Sequence, residues 1–581
     1  MLGQHIKDLS HLAGYLGVLR WRYAAGTVFL LLTNGFALLI PWFMKMAVEG
    51  LQHPASASLS PAVCAMVIIG LAAGNCITRV FSRTLMLNAA RIIEFRIRED
   101  LFQRLLLLDQ AFFSTSRTGD ILSRFSNDLT NVRMLVGFGA MSVINTLIIY
   151  IAAVTMMMRI HPILTLCAVI PFPLMVLAVK KVSHNLFKHS LAAQQELARL
   201  TSLTEESVST VRLIKAYCRE NHFQGMYAEV SDQYLGRNLK LARLRGLLLP
   251  LMATATGAGT LIVLFLGGRL VISGTISLGD FVAFSGYLAM LVWPTAVMGW
   301  IMTLAQRGAA SMSRLNEILE AESGVSSAPD AEQIKELRQG IEMHDLSFYY
   351  GAAKVLDRVS CHIRAGERIG VTGAVGSGKS TLLKLLTRQL PVGDGQILLD
   401  GRDINRINAA SLRAIIGYVP QETFLFSRSI RENIAYGAVG GDTDIDELVR
   451  QARLTTDIEK FHEGLETMVG EKGVALSGGQ KQRLSIARAL SANPRILLLD
   501  DPLSAVDAGR EEEILGEMGR ICEDRTVLIV SHRLSAFRDC DRVLVLQDGR
   551  IAEQGSPAEL LEQDGLYAMM YRMQRLEEEL L

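Results

Sequence analysis

The sequence has almost no net charge: 59 Lys and Arg against 58 Asp and Glu leave +1 over 581 residues. That balance removes bulk electrostatic attraction as an argument for a nucleic-acid partner. Cysteine is sparse as well. Cys64, Cys76, Cys167, Cys218, Cys361, Cys522 and Cys540 are scattered, with no CxxC pair and no His-rich neighbour. A disulfide framework or thiolate metal site is therefore not expected, and buried thiols are. The N-terminus, MLGQHIKDLSHLAGYLGVLRWRY, lacks a short apolar core ending in a small-residue cleavage site, so no secretory signal is expected there. Low-complexity tracts and short internal repeats are also missing.

Apolar residues are in excess. They make up 50% of the chain, yet from about Gly340 onward the sequence reads as an ordinary soluble α/β protein. The surplus lies in the N-terminal half, which points to a membrane domain fused to a soluble one. Six stretches are long and apolar enough to cross a bilayer, near 23–48, 61–89, 135–158, 162–182, 247–272 and 279–305. Connections 1–2, 3–4 and 5–6 are short, whereas 2–3 and 4–5 are long, polar and helix-like. The long ones carry the basic residues, among them Arg91, Arg96, Arg98, Arg104, Lys188, Arg199, Arg212 and Lys215. The Lys/Arg bias puts these connections, the N-terminus and the C-terminal half in the cytoplasm. Ahead of the first span, Ile6, Leu9, Leu12, Leu16 and Leu19 suggest an amphipathic helix lying in the bilayer interface.

The soluble half carries the chemistry. In ERIGVTGAVGSGKSTLLKLL, a strand runs into a glycine-rich turn and then a helix, with Gly373, Gly376, Ser377, Gly378, Lys379, Ser380 and Thr381 in the turn and first helical positions. Such a turn wraps phosphates with backbone N–H groups, Lys379 reaches the β and γ phosphates of ATP, and the Ser380 hydroxyl suits Mg²⁺. RILLLDD is an apolar strand ending in carboxylates, and Asp500 is placed to hold the metal through water. Between them, Leu476-Ser477-Gly478-Gly479-Gln480 opens a helix carrying Arg483 and Arg488. This is a second helix-terminal anion site in a chain that already has one for its own nucleotide.

With that pentapeptide the whole chain resembles an ATP-binding cassette (ABC) exporter of the half-size type. The resemblance implies an α-helical six-span transmembrane domain fused to an α/β P-loop ATPase, the ABC nucleotide-binding domain. The layout is an interfacial helix over 1–20, the membrane domain over 21–322, a linker over 323–339 and the ATPase over 340–581. In that family two ATPase domains pair head to tail, each ATP lying between one chain's phosphate loop and the other's LSGGQ. The resemblance assigns Tyr350, ahead of Tyr349, to the adenine, and Gln421 to Mg²⁺ and the attacking water. It assigns Ser504, Ala505 and Asp507 to the loop between the two sites, and His532 to the γ phosphate. Gly470 and Glu471 match the segment that meets the membrane domain's cytoplasmic loops. Short helices near Phe112, Phe113, Gly119 and Asp120, and within LTEESVSTVRLIKAYCRE, are expected as their counterparts.

One position departs from the family pattern. A glutamate that orients and deprotonates the water is expected directly after the metal-binding aspartate, and Asp501 stands there instead. Its intrinsic pKa is similar but its reach is shorter by one carbon–carbon bond, about 1.5 Å. ATP should bind while cleavage slows, as in the slow site of a heterodimeric exporter whose partner half supplies the fast one. A homodimer with Asp501 as working base, and an ATP-gated channel or regulatory subunit, stand as alternatives. The expected cargo is small and apolar or amphipathic, met by residues such as Met156, Met157, Met158, Phe281, Phe284, Met290, Trp293, Met298 and Trp300. The expected location is a bacterial inner membrane, and no nucleic-acid partner is expected.

Overall fold

The computed structural model describes residues 10–53, 59–325, 328, 330–438, 444–470, 474–502, 519 and 522–580. The chain divides into two compact units: 1–106 with 117–321, and 107–116 with 322–581.

The first unit is helical. Four of the expected spans fall on long apolar helices, Arg20–Gln52, Pro61–Leu107, Thr118–Ile160, which passes through wider turns at Arg124–Asp128 and Leu135–Gly139, and Leu278–Leu319. The other two fall on helices that run on from one another. Pro171 follows a short helix, Pro162–Val169, and starts a new one, Pro171–Ser209. Glu220–Ile262 continues through a wider turn at Val263–Gly267 into Gly268–Ile272. The long connections are helical extensions of the spans. Pro61–Leu107 has 47 residues, about 70 Å of helix against a hydrocarbon core of about 30 Å. Between the two extensions of the second long connection lies a short helix, Val211–Ala216.

Small residues let these helices approach closely, the usual device where lipid supplies no hydrophobic drive between helices. A Cβ at Gly308 would meet the Leu135 side chain at 2.6 Å. Met157, Phe284, Tyr287 and Leu291 are fully buried among the helices, and the Tyr287 hydroxyl donates to the Leu38 carbonyl at 3.1 Å. Met157 and Phe284, expected at a cargo surface, are instead packing residues. Trp293 and Met158 remain exposed, at 73% and 46%.

The second unit contains two sheets. β1 (Gly340–Tyr350), β2 (Ala353–Arg364), β4 (Ile397–Leu399) and β5 (Arg402–Asp403) form an antiparallel sheet in the order β2-β1-β4-β5. β3 (Arg368–Gly373), β6 (Ile416–Val419), β7 (Ile496–Asp500), β8 (Thr526–Val530), β9 (Arg542–Gln547) and β10 (Arg550–Gly555) form the other, in the order β10-β9-β3-β8-β7-β6. All its neighbours are parallel except β10 with β9. The parallel strands are largely buried on both faces and divide their side chains by strand period, while β10 at the edge is not buried. Ile496, Leu498, Leu528, Val530 and Leu544 enter the core shared with the antiparallel sheet, while Leu497, Leu499, Val527, Ile529 and Val543 enter the core on the opposite face. The strand ends that follow these residues carry the chemistry, the usual place for a ligand in a parallel sheet.

The stretch expected as a linker is bound into this unit. The Glu332 amide donates to Arg406 O at 2.8 Å, the Asn408 amide donates back to Glu332 O at 2.7 Å, and Ile334 is buried. Asp400 Oδ1 accepts from the amides of Gln339 and Gly340 at 2.7 and 3.0 Å.

Candidate ATP site

β3 ends at Gly373, whose φ of 145° and crowding against Leu546 O admit no side chain. Gly378 caps the next helix, α1 (Lys379–Leu386), with φ 99°, a conformation glycine adopts at little cost. Lys379 is buried and folds back, its ammonium donating to Gly373 O at 2.9 Å and Ala374 O at 2.8 Å. Burial lowers its pKa, opposed by Asp500 and Asp501. The Ser377 hydroxyl is buried in the loop without a hydrogen-bond partner among the described residues. An unmet buried hydroxyl in a ring of backbone amides is what a phosphate oxygen would satisfy.

Asp500, at the end of β7, is buried, and Ser380 Oγ donates to its Oδ1 at 3.1 Å. Burial raises the Asp500 pKa, Ser380 counters it, and Asp501 adds to it. The hydroxyl and carboxylate make an all-oxygen donor pair that fits Mg²⁺. Tyr418 on β6 also faces this carboxylate. Burial and Asp500 together push the phenol's pKa up.

Asp501 sits just beyond the strand with φ 52°, in the left-handed region where Asp is tolerated better than most side chains. Its amide donates to Val530 O at 2.7 Å, and Gln482 Nε2 donates to its carbonyl at 3.0 Å. Its carboxylate Oδ1 accepts from Ser531 Oγ at 3.1 Å. His532 follows Ser531. Burial, then Lys379, lowers its pKa, while Asp501 and Asp500 oppose the shift. Its carbonyl accepts from Gln574 Nε2, and Gln574 Oε1 accepts from the Leu534 amide at 2.9 Å. Lys379, Asp500, Asp501 and His532 thus stand in one electrostatic neighbourhood.

The other expected residues stand apart from it. Gln421 is exposed just beyond β6 and makes no hydrogen bond to Ser380 or Asp500. Tyr350 is partly exposed at the tip of β1, edge-on to Phe348 with ring centroids 5.1 Å apart; the Lys354 ammonium covers Tyr349 instead. Ser504, Ala505 and Asp507 lie outside the described residues, as does Glu471. Gly470 is described, with φ 91°, packed where a Cβ would touch Phe426 O at 3.0 Å.

The signature loop caps the helix α2 (Gly478–Leu490). Ser477 Oγ accepts from the Gln480 amide at 3.3 Å and Gln480 Oε1 accepts from the Ser477 amide at 2.9 Å, a reciprocal capping box. Leu476 is buried beneath it, while Gly479 occupies the first helical turn. Asp457 ties the loop down, accepting from Gln480 Nε2 at 3.0 Å and from Arg483 Nη2 at 2.6 Å, with both members of the ion pair buried. Sequence reasoning had no signal for Asp457, Ser531, Tyr418 or Gln574, because their roles depend on partners far along the chain.

Phe112 and Phe113 lie on a short helix, Gln110–Thr115, which belongs to the second compact unit; its N-cap, Asp109, also accepts from the Gly324 amide at 2.6 Å.

Comparisons with known proteins give the family of the whole chain. Residues 23–295 match the ABC transporter transmembrane region and 356–504 match the ABC transporter family. The chain is 37% identical to the probable multidrug resistance ABC transporter ATP-binding/permease protein YheI of Bacillus subtilis (strain 168), over 96% of this chain and 95% of that one. It is 32% identical to the ATP-dependent lipid A-core flippase of Syntrophus aciditrophicus (strain SB), over 95% and 92%. It superposes on the structure of a bacterial Atm1-family ABC exporter with ATP bound at a TM-score of 0.78 and 28% identity, covering 96% and 99% of the two chains. The chain belongs to the ABC transporter family as an exporter, an ATP-binding ATPase joined to a membrane domain and working as a dimer in a lipid bilayer.

Proposed function

We propose that this chain is one half of a heterodimeric exporter in which its own phosphate loop builds the slow ATP site. The observation that carries the reading is the contrast at the end of β7. Asp500 and Ser380 are brought together as a metal site needs, whereas the next carboxylate is short and bonded to Ser531. Ser380 and Asp500 would hold Mg²⁺, which when bound offsets phosphate charge. Lys379 is held in reserve on two carbonyls and exchanges them for phosphate oxygens. Asp501 would have to leave Ser531 to reach a water, and a displacement of about 1 Å from productive geometry costs on the order of a hundredfold in rate. The signature loop is whole, so the chain completes the partner's fast site.

In this reading Gln421 comes to the metal only when ATP is bound, Tyr350 stacks on adenine, and Ser504, Ala505 and Asp507 run between the two sites. Phe112, Phe113, Gly470 and Glu471 couple ATPase closure to the spans. Closure is favoured because ATP binds the closed pair more tightly than the open one. The Lys/Arg bias supports cytoplasmic placement of the N-terminus and the ATPase, and the bacterial relatives support the inner membrane. The multidrug and lipid names among those relatives support an apolar or amphipathic cargo.

A homodimer with Asp501 as base is the second reading, favoured by His532 standing beside Asp501. The test is ATP-dependent accumulation of an amphipathic dye in inverted vesicles, with the chain alone and co-expressed with a second half. Accumulation only with the second half is expected; equal accumulation by the chain alone would favour the homodimer, and none in either case would favour a channel or regulator.

A further inference from the structure

A cavity of about 280 Å³ in the first unit has an apolar wall that includes Met290 and Trp293 and a polar side that includes Arg79, Arg83, Asn34 and Asn145. Arg79 and Arg83 are one helical turn apart on Pro61–Leu107, so they share a face. They lie about 27 and 33 Å from the start of that helix, at the edge of a hydrocarbon core of about 30 Å. No acidic residue lines the cavity. Neither arginine has a hydrogen bond or ion pair among the described residues, whereas some arginines elsewhere in this unit are paired. Arg133 meets Glu94 at 3.2 Å, and Arg314 meets Asp128 at 2.5 Å. Glu94, the next acid along the same helix, is already shared by Arg98 and Arg133.

The neutral groups divide in an informative way. Thr33 Oγ1 donates to Phe29 O and Ser82 Oγ to Gly26 O, so their hydroxyl protons are directed into the helices. Asn34 Nδ2 donates both to Leu30 O at 2.9 Å and to Asn145 Oδ1 at 3.0 Å. The bond to Leu30 fixes which end of Asn34 is the amide nitrogen. Asn145 must then present its oxygen to Asn34, which leaves its own NH₂ without an acceptor among the described residues. The cavity therefore offers two guanidinium groups and an amide donor, no opposing charge, and an indole and thioether wall beside them. Snorkelling to the headgroups accounts for an arginine that faces lipid. These two instead line a polar cavity together with a spare amide, and ionisable groups within spans that face a cavity ordinarily serve a ligand.

We infer that this cavity binds an amphiphile with an acidic head, a phosphate or similar oxyanion, with Arg79, Arg83 and Asn145 holding the head and Trp293 and Met290 the apolar body. This rests on the reading of the spans as the wall of an export path and narrows the cargo class to anionic amphiphiles. Guanidinium groups pair with such heads through charge-assisted hydrogen bonds and can engage two oxygens at once.

The test is equilibrium binding to the whole chain in phosphatidylcholine discs without nucleotide, read by tryptophan fluorescence, with Trp293→Phe showing that the signal comes from this wall. The probes are octyl phosphate, octyltrimethylammonium and inorganic phosphate. Octyl phosphate should bind at least about tenfold tighter than the ammonium, the ratio expected of one charge-assisted hydrogen bond. Arg79→Gln with Arg83→Gln should abolish that preference, and Arg79→Lys with Arg83→Lys should retain most of it, which separates lost charge from lost fold. Equal binding of the two amphiphiles, a preference that survives the glutamines, or inorganic phosphate binding as tightly as octyl phosphate would overturn the inference. Phosphatidic acid added to the discs assigns the source. If it displaces octyl phosphate the head comes from the bilayer, and if not it comes from the water phase; either outcome is compatible only with an oxyanion site. Dye accumulation in vesicles is a separate readout. Export lost with charge preference kept removes the export reading alone, and export kept with no preference removes this one alone.

Discussion

The phosphate loop and the signature loop are both glycine-containing turns into a helix N-terminus, yet they are held in opposite ways. The phosphate loop is left unsatisfied. Lys379 has only carbonyl partners and Ser377 has an unmet buried hydroxyl. The signature loop is closed on itself by a capping box and anchored by Asp457 and Arg483. The first is built to take a ligand within its own chain, and the second is a finished surface awaiting another chain's nucleotide. The difference suggests that a single chain can be competent to bind ATP while the capacity to cleave it quickly is a property of the pair.

Removing the unsatisfied side of the contrast should have the largest effect. Lys379→Ala is expected to lower ATP turnover by the paired exporter on the order of a hundred- to a thousandfold, measured as phosphate release. On the closed side the expected loss is in stability. Asp457→Asn leaves the Arg483 guanidinium buried and unpaired, and should cost about 3 kcal/mol, read as a lower melting temperature in discs with ATP binding to the phosphate loop kept.

A subtler difference is carried by protons. Burial holds His532 below the ordinary histidine pKa, so the unfolded chain takes up protons in a range where the folded chain does not. Stability should therefore fall as pH drops through about 6.5, and His532→Gln should flatten that slope in melting scans between pH 8 and pH 5.5. Ser531→Ala is the smallest of these changes. Freeing Asp501 from one hydrogen bond of about 1 kcal/mol should raise turnover roughly fivefold.

The phosphate loop, the signature and the strand ending in Asp500 were legible because each is a local pattern whose residues act within a few positions of one another. The sheet was legible for the same reason, since the apolar run at 496–499 has a strand's length and is bounded by polar residues. Partners across the chain were not. Ser531 lies 30 positions from Asp501 and Arg483 lies 26 from Asp457, and only the fold joins them. Methionines and aromatics were the least legible group. Met157 fills a helix interface while Met158 is exposed, a distinction set by the helix face rather than by composition. One span was also blurred, because Pro171 divides a stretch that hydropathy alone reads as continuous.

The most direct test of the unequal-site account is steady-state ATP hydrolysis by this chain alone in lipid discs, with Lys379→Ala as the blank and Asp501→Glu alongside. The account predicts negligible turnover by the unmodified chain despite measurable ATP binding, and a rise of up to about a hundredfold on restoring the longer carboxylate. Brisk turnover by the unmodified chain, unchanged by Asp501→Glu, would contradict it and make Asp501 the working base of a homodimer.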